Sequence, residues 1–228
     1  MQSILSSNQN PLVQPSAPSA VTRIYECDEP VGLSAIYESD VNMAVWRRKF
    51  DPCLMQALAR LAVTPRLCPV NAIVSVNSVN VLLQSHLPED TGKQDVIDDI
   101  TYLVDLYSCL FDLSHVGMRL TRLDRQMCPR FHVDAVPCRL VTTYAGSATE
   151  WLPNQSVKRD KLGRGSNGLP DHASGIYQYP SDIQRLKTGD VALLKGEKWI
   201  GNEGAGLVHR SPDPGPAQTR IILTLDFA

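Results

Sequence analysis

Apolar residues recur at three- and four-residue steps from about Asn42 to Ala62, through Met43, Trp46, Phe50, Leu54, Leu58 and Leu61. That spacing predicts an amphipathic helix, or a helix pair broken near Asp51-Pro52. Residues 70–83 (VNAIVSVNSVNVLL) fit two readings, with β-branched alternation first and helix-like spacing later. A second helix is predicted over Asp95–Leu113, where Val96, Ile100, Leu103, Leu106, Tyr107 and Leu110 form one stripe. Asp98 and Asp99 near its start suit the positive end of a helix dipole.

The period changes after Ser114. Val116, Met118 and Leu120 alternate with polar residues, and Pro, Gly and Asn punctuate the rest of the chain. The pattern predicts strands near 115–124, 129–134, 138–145, 190–195, 205–210 and 220–227. Between them, residues 153–175 are polar and Gly-rich and carry Lys158, Arg159, Lys161 and Arg164. A loop that long in a folded domain is usually functional or disordered; the readings are a solvated segment or a substrate lid. Helices followed by many short strands give an α+β fold, with a helical flank (about 42–113) on a β-barrel or sandwich (about 115–228). Residues 23–228 are expected to form a single domain behind a flexible polar tail over residues 1–22.

Two of the predicted strands bring candidate chemistry together. In Cys128-Pro-Arg-Phe-His-Val-Asp134, His132 and Asp134 stand two apart, so strand alternation aims both at one face. His209 follows on a later apolar run. Two histidines and a carboxylate on one face of an ion form the facial triad of non-haem Fe(II) oxygenases. Arg220 lies on the last strand, where Arg220, Ile222, Thr224 and Asp226 alternate with the apolar Ile221, Leu223, Leu225 and Phe227. A guanidinium there can hold a carboxylate cosubstrate through a bidentate pair. Set against this, an isolated His-x-Asp is more often a surface pair, and a strand Arg is usually exposed. Cys128 can join a metal site only if Pro129 breaks the strand; otherwise it is an inert thiol. His86, His115 and His172 have no partner pattern and are read as structural or surface residues. Trp151 is read as a core or pocket-rim aromatic.

These segments carry a family resemblance. Gly189-Asp-Val-Ala-Leu-Leu-Lys-Gly, Leu-Val-His209 and Thr-Arg220-Ile-Ile-Leu-Thr-Leu resemble, in motif and order, the closing strands of Fe(II)/2-oxoglutarate-dependent oxygenases. The resemblance covers about residues 115–228. It implies a double-stranded β-helix (a cupin-like jelly roll), Fe(II) held by His132, Asp134 and His209, and 2-oxoglutarate clamped by Arg220, with Thr224 adding a hydroxyl. Tyr144, Thr142 and Arg139 are candidates to orient the cosubstrate, with Tyr144 put forward and nothing in the spacing selecting among them. The whole chain also resembles a bacterial family of unknown function, domain family 1826, through MCPRFHVD, TTYAG-x-x-TEWL and NEG-x-GLVHRSP.

The leading reading is thus an oxidoreductase, an Fe(II)-dependent dioxygenase using 2-oxoglutarate on a small or unidentified substrate. The alternative is a cupin-like metalloprotein holding Zn(II) or Fe(II) without 2-oxoglutarate, acting as hydrolase, isomerase or metal-handling factor. A binding module whose His/Asp set is only a hydrogen-bond network is the third. Composition narrows the partners. With 22 basic and 24 acidic residues the formal charge is -2, which gives no reason to expect nucleic acid or an anionic membrane. No run reaches the roughly 18–20 apolar residues of a transmembrane helix. Six cysteines without C-x-x-C spacing are expected to be reduced, which points to the cytoplasm.

Overall fold

The computed structural model describes residues 22–64, 67–213, 215 and 219–228. The expected tail over residues 1–22 therefore lies, except for Thr22, outside the described residues.

Asp51-Pro52 divides the first apolar stretch into two elements. Asp51 caps helix α1 (Pro52–Val63), its carboxylate accepting from the backbone N–H groups of Cys53 (2.8 Å) and Leu54 (3.0 Å). Pro52, which has no N–H to lose, takes the first helical position. Before the cap the chain is strand β2 (Val41–Trp46) rather than the expected helix. Met43 and Val45 face one core while Ala44 and Trp46 face another. A strand covered on both faces reads as a continuous apolar run, which a helix spacing can mimic. Strand β1 (Arg23–Cys27) pairs with β2 in parallel. The ambiguous stretch holds both of its readings in turn: strand β3 (Val70–Val74), then helix α2 (Val76–His86). Helix α3 (Lys93–Phe111) buries Val96, Ile100, Leu103 and Tyr107 on the expected stripe. The expected helical layer over 42–113 is thus interrupted by two strands.

The remaining strands are β4 (Val116–Leu123), β5 (Cys138–Ala145), β6 (Glu150–Leu152), β7 (Gln184–Arg185), β8 (Val191–Lys195), β9 (Val208–Arg210) and β10 (Arg220–Phe227). Among the described residues seven strands form a large sheet in the order β1-β2-β8-β5-β10-β4-β3, and three form a small one, β7-β6-β9. Apolar residues of α1, α2 and α3 join Leu140, Leu193, Leu223 and Leu225 in the core on one face of the large sheet. Between the sheets lies a second core, in which Met43, Val141, Leu194 and Ile222 meet Trp151 and Leu207. The fold is α+β with two facing sheets and helices on one side.

The expected strand over 129–134 is absent apart from one bridge, His132 to His209. Pro129 has no N–H to donate, and the Phe131 N–H goes to the Asp171 carboxylate (3.0 Å) instead of a ladder partner. The basic segment 153–175 is folded into short 3₁₀ turns and helix α4 (Asp171–Ser174). Leu152, Ile176, Phe131 and Val208 form the core beneath it. No helix among the described residues is long and apolar enough to cross a membrane, and all six cysteines are unpaired.

Candidate metal centre

His209 is the middle residue of β9, held on one side by β6, where it faces Trp151. On the other side it meets His132 alone, each residue donating its N–H to the other's carbonyl at 3.0 Å. This reciprocal bridge sets the imidazole centroids 4.6 Å apart. Asp134 follows two residues later, and its carbonyl accepts from Glu197 N (2.9 Å) in the turn after β8. That turn needs Gly196, where a Cβ would lie 2.1 Å from the Val136 carbonyl oxygen and 2.7 Å from that of Asp134.

One potential ligand atom from each of His132, Asp134 and His209 falls within a 4.8 Å cluster. Each ring is oriented by a carbonyl on its other nitrogen: Nδ1 of His132 lies 2.9 Å from Arg130 O, and Nδ1 of His209 3.2 Å from Leu207 O. A carbonyl only accepts, so Nδ1 carries a hydrogen in both rings; a neutral ring then presents its Nε2 lone pair, as a metal-binding histidine does, and a protonated one donates from Nε2 to Asp134. Both Nε2 atoms turn to Asp134, at 3.6 Å from Oδ1 for His132 and 3.3 Å from Oδ2 for His209. Ligands in neighbouring positions about 2.1 Å from one ion stand about 3 Å apart; the two His–Asp separations are near that, while the set as a whole, within 4.8 Å, draws in to share one ion.

Asp134 is the electrostatic centre of the group. Burial opposes its ionisation, but His132, His209 and Arg139 outweigh that and hold its pKa well below the usual carboxylate range. The Asp134 hydrogen bond in turn raises the His132 imidazole above its ordinary value. Arg139 on β5 reaches Asp134 Oδ2 with Nη1 at 2.8 Å, while its Nε and Nη2 grip Asp226 on β10 at 2.7 and 2.8 Å. Even so, the buried Oδ2 receives no aligned hydrogen-bond donor. Two imidazole lone pairs and an unsatisfied carboxylate oxygen facing one point leave a place for a positive ion.

Arg220, the first residue of β10, is 2% exposed. Its Nη2 donates to Thr149 Oγ1 (2.9 Å) and Thr143 Oγ1 (3.3 Å), its Nη1 to Ser211 Oγ (3.2 Å), and Nε has no partner. No carboxylate lies within ion-pair distance of it among the described residues. Burial lowers its pKa to about 10. A cavity of about 50 Å³ joins Arg220 and Thr224 to His132, His209, Arg139 and Cys128.

Of the residues expected at the site, His132, Asp134, His209, Arg220 and Thr224 are brought together, and Tyr144 is not. Along β5, Arg139, Val141 and Thr143 face the site, so strand alternation places Thr142 and Tyr144 on the helical side. There Tyr144 stacks on Phe50 and donates to Asp99 Oδ2 at 2.6 Å, with its hydroxyl pKa pushed up by burial. Of the three orienting candidates only Arg139 faces the site, where its guanidinium is held by Asp134 and Asp226. Asp226, Thr143, Thr149 and Ser211 were not foreseen as participants. Asp226 and Thr143 were findable by counting in twos from Thr224 and Arg139, whereas Thr149 and Ser211 sit in connections with no period to read. His86, His115 and His172 lie outside the cluster.

The family model described as "Protein of unknown function (DUF1826)" matches residues 27–226. No curated protein matches the chain. Among solved structures, a putative oxygenase from Shewanella oneidensis is similar at 11% identity and a TM-score of 0.48, over 90% of this chain and 89% of that one. A Pseudomonas putida prolyl-4-hydroxylase shares 11% identity at a TM-score of 0.43, over 87% and 91% of the two chains. An oxidoreductase of the 2OG-Fe(II) oxygenase family from Burkholderia pseudomallei shares 11% identity at 0.42, over 90% and 93%.

Proposed function

The chain belongs to the DUF1826 family of proteins of unknown function, and we propose that it is an Fe(II)-dependent oxygenase using 2-oxoglutarate, or a closely similar 2-oxo acid, to oxidise its substrate. On this reading the two facing sheets are a double-stranded β-helix and His132, Asp134 and His209 hold the ion. Fe(II) bound by three residues keeps open positions at which a 2-oxo acid and dioxygen are activated.

The observation that carries the cosubstrate is Arg220. A guanidinium buried without a counter-ion costs several kcal/mol, and proteins rarely keep one unless an anion completes it. Its partners here are hydroxyls, which orient the fork without neutralising it. It shares the small cavity with both histidines, so a carboxylate on Arg220 lies in the same space as the triad. Thr224, on the same strand face, adds a hydroxyl to that space. Arg139, tied to Asp226, fixes the position of the Asp134 carboxylate. A metalloprotein that uses no oxo acid has no need of the charge on Arg220, and nothing in the site favours that alternative.

Anaerobic addition of Fe(II) and 2-oxoglutarate to the purified protein should give a weak visible charge-transfer band that neither addition gives alone. No band, together with iron binding that the oxo acid does not tighten, would contradict the cosubstrate assignment.

A further inference from the structure

A larger cavity, about 470 Å³, opens on the other face of the small sheet, against the segments that flank the two histidines. Three arginines (Arg130, Arg185, Arg210) and three carboxylates (Glu150, Asp171, Asp213) line it, with Tyr177 and His172. Most of these charges are already used. Arg210 donates to Glu150 Oε2 and to Asp171 Oδ2, both at 2.8 Å, and Arg185 pairs with the other oxygen of Glu150. Two are not. Arg130 donates only to neutral oxygens, Ser166 Oγ (3.2 Å) and Gly168 O (2.7 Å). Among the described residues Asp213 accepts only from the Gly215 N–H (2.9 Å). Neither has an oppositely charged partner among the described residues.

One free cation and one free anion therefore face a cavity of ordinary ligand size, and we propose that it binds a small zwitterion of the amino-acid type. The ligand's carboxylate pairs with Arg130 and its ammonium with Asp213. A simple anion satisfies Arg130 and leaves Asp213 unmatched; a simple cation does the reverse. Only a ligand carrying both signs uses the two groups without breaking the pairs that Arg210 and Arg185 already make. A water molecule's share of liquid is about 30 Å³, so the space admits roughly fifteen waters, enough for a large amino acid or a dipeptide. The bound ligand is also mechanically close to the candidate centre. Asp171 Oδ2 holds both the Phe131 N–H, beside His132, and Arg210, beside His209.

The site does not depend on what the triad holds, so it is tested on chelator-treated protein by calorimetric titration. The probes are L-amino acids of increasing size, dipeptides, and the N-acetyl and C-terminal amide forms of the best of them. Saturable binding that both blocked forms lose is the expected result, and amino acid against dipeptide distinguishes the two sources of the same chemistry. Arg130→Gln should weaken binding about tenfold or more, the loss of one charge-assisted hydrogen bond, and should abolish discrimination against the amide. Asp213→Asn should do the same for the N-acetyl form. Both side chains are exposed, so the variants should fold as the parent does. No saturable binding of any zwitterion at millimolar concentration, equal binding of the blocked forms, or affinity unchanged in both variants would overturn the proposal.

Discussion

His132 and His209 each donate a backbone N–H to the other's carbonyl at 3.0 Å, so one bridge rather than two independent strands sets both imidazoles beside Asp134. Replacing either ring with a methyl group keeps the bridge and removes a ligand. His132→Ala and His209→Ala should therefore each lose stoichiometric metal while keeping their secondary structure, and His172→Ala should keep its metal. Elemental analysis of the three purified variants checks this. Full metal in either of the first two would place the site elsewhere.

Arg139 bridges Asp134 and Asp226, which makes Asp226 a positioning residue that touches no candidate ligand. Asp226→Asn weakens the grip on Arg139 and so loosens the Asp134 carboxylate. Metal affinity should fall ~10–100-fold, the usual effect of removing such support. A Co(II) titration followed by its visible spectrum reads this without turnover, and parental affinity in the variant would remove the role.

The His132 pKa is raised by Asp134, which fixes the sign of two pH effects. In chelator-treated protein its contribution to stability is fully present below the unfolded value of about 6.5 and is lost as pH rises through the higher folded value. The depressed pKa of Asp134 does not offset this near neutrality, because its contribution changes only as pH falls below about 4. Thermal midpoints should thus drop across that upper window in the parent and drop less in His132→Gln. Metal affinity should run the opposite way, weakening as pH falls through the same raised value, because the proton and the ion compete for Nε2. Equal midpoints and flat metal affinity across the window would contradict the pairing.

Helix α1 offers a test of the fold alone. Asp51→Ala removes the acceptor of two N-terminal N–H groups and should cost about 1 kcal/mol. Leu103, fully buried on α3, should cost ~2–5 kcal/mol when cut to Ala. Urea denaturation of both measures the difference, and a larger loss at Asp51 would show that the helical layer does not anchor the sheet.

The faces of His209 and Arg220 were legible because each lies on a strand whose period fixes it, whereas His132 and Asp134 are set beside them by a single bridge outside any strand. Residues 220–227 form β10 with the expected alternation, Arg220, Ile222 and Thr224 inward and Leu223 and Leu225 against the helices. Strand β2 was not legible, since both of its faces are buried and alternation vanishes. The 129–134 segment misled for the opposite reason. Its alternation is real, but Pro129 and the claim of Asp171 on the Phe131 N–H prevent a ladder. Tyr144 was misplaced because three polar residues on one strand are equivalent in sequence until the face of Arg139 is known.

The unpaired guanidinium of Arg220 is the group assigned to hold the oxo acid, and the affinity of iron-loaded protein for 2-oxoglutarate under anaerobic conditions measures that directly. Arg220→Lys keeps the charge and loses the bidentate fork, so affinity should fall by ~1.5–3 kcal/mol with metal content unchanged. A Lys variant that binds 2-oxoglutarate as tightly as the parent, or that loses its iron, would contradict the assignment.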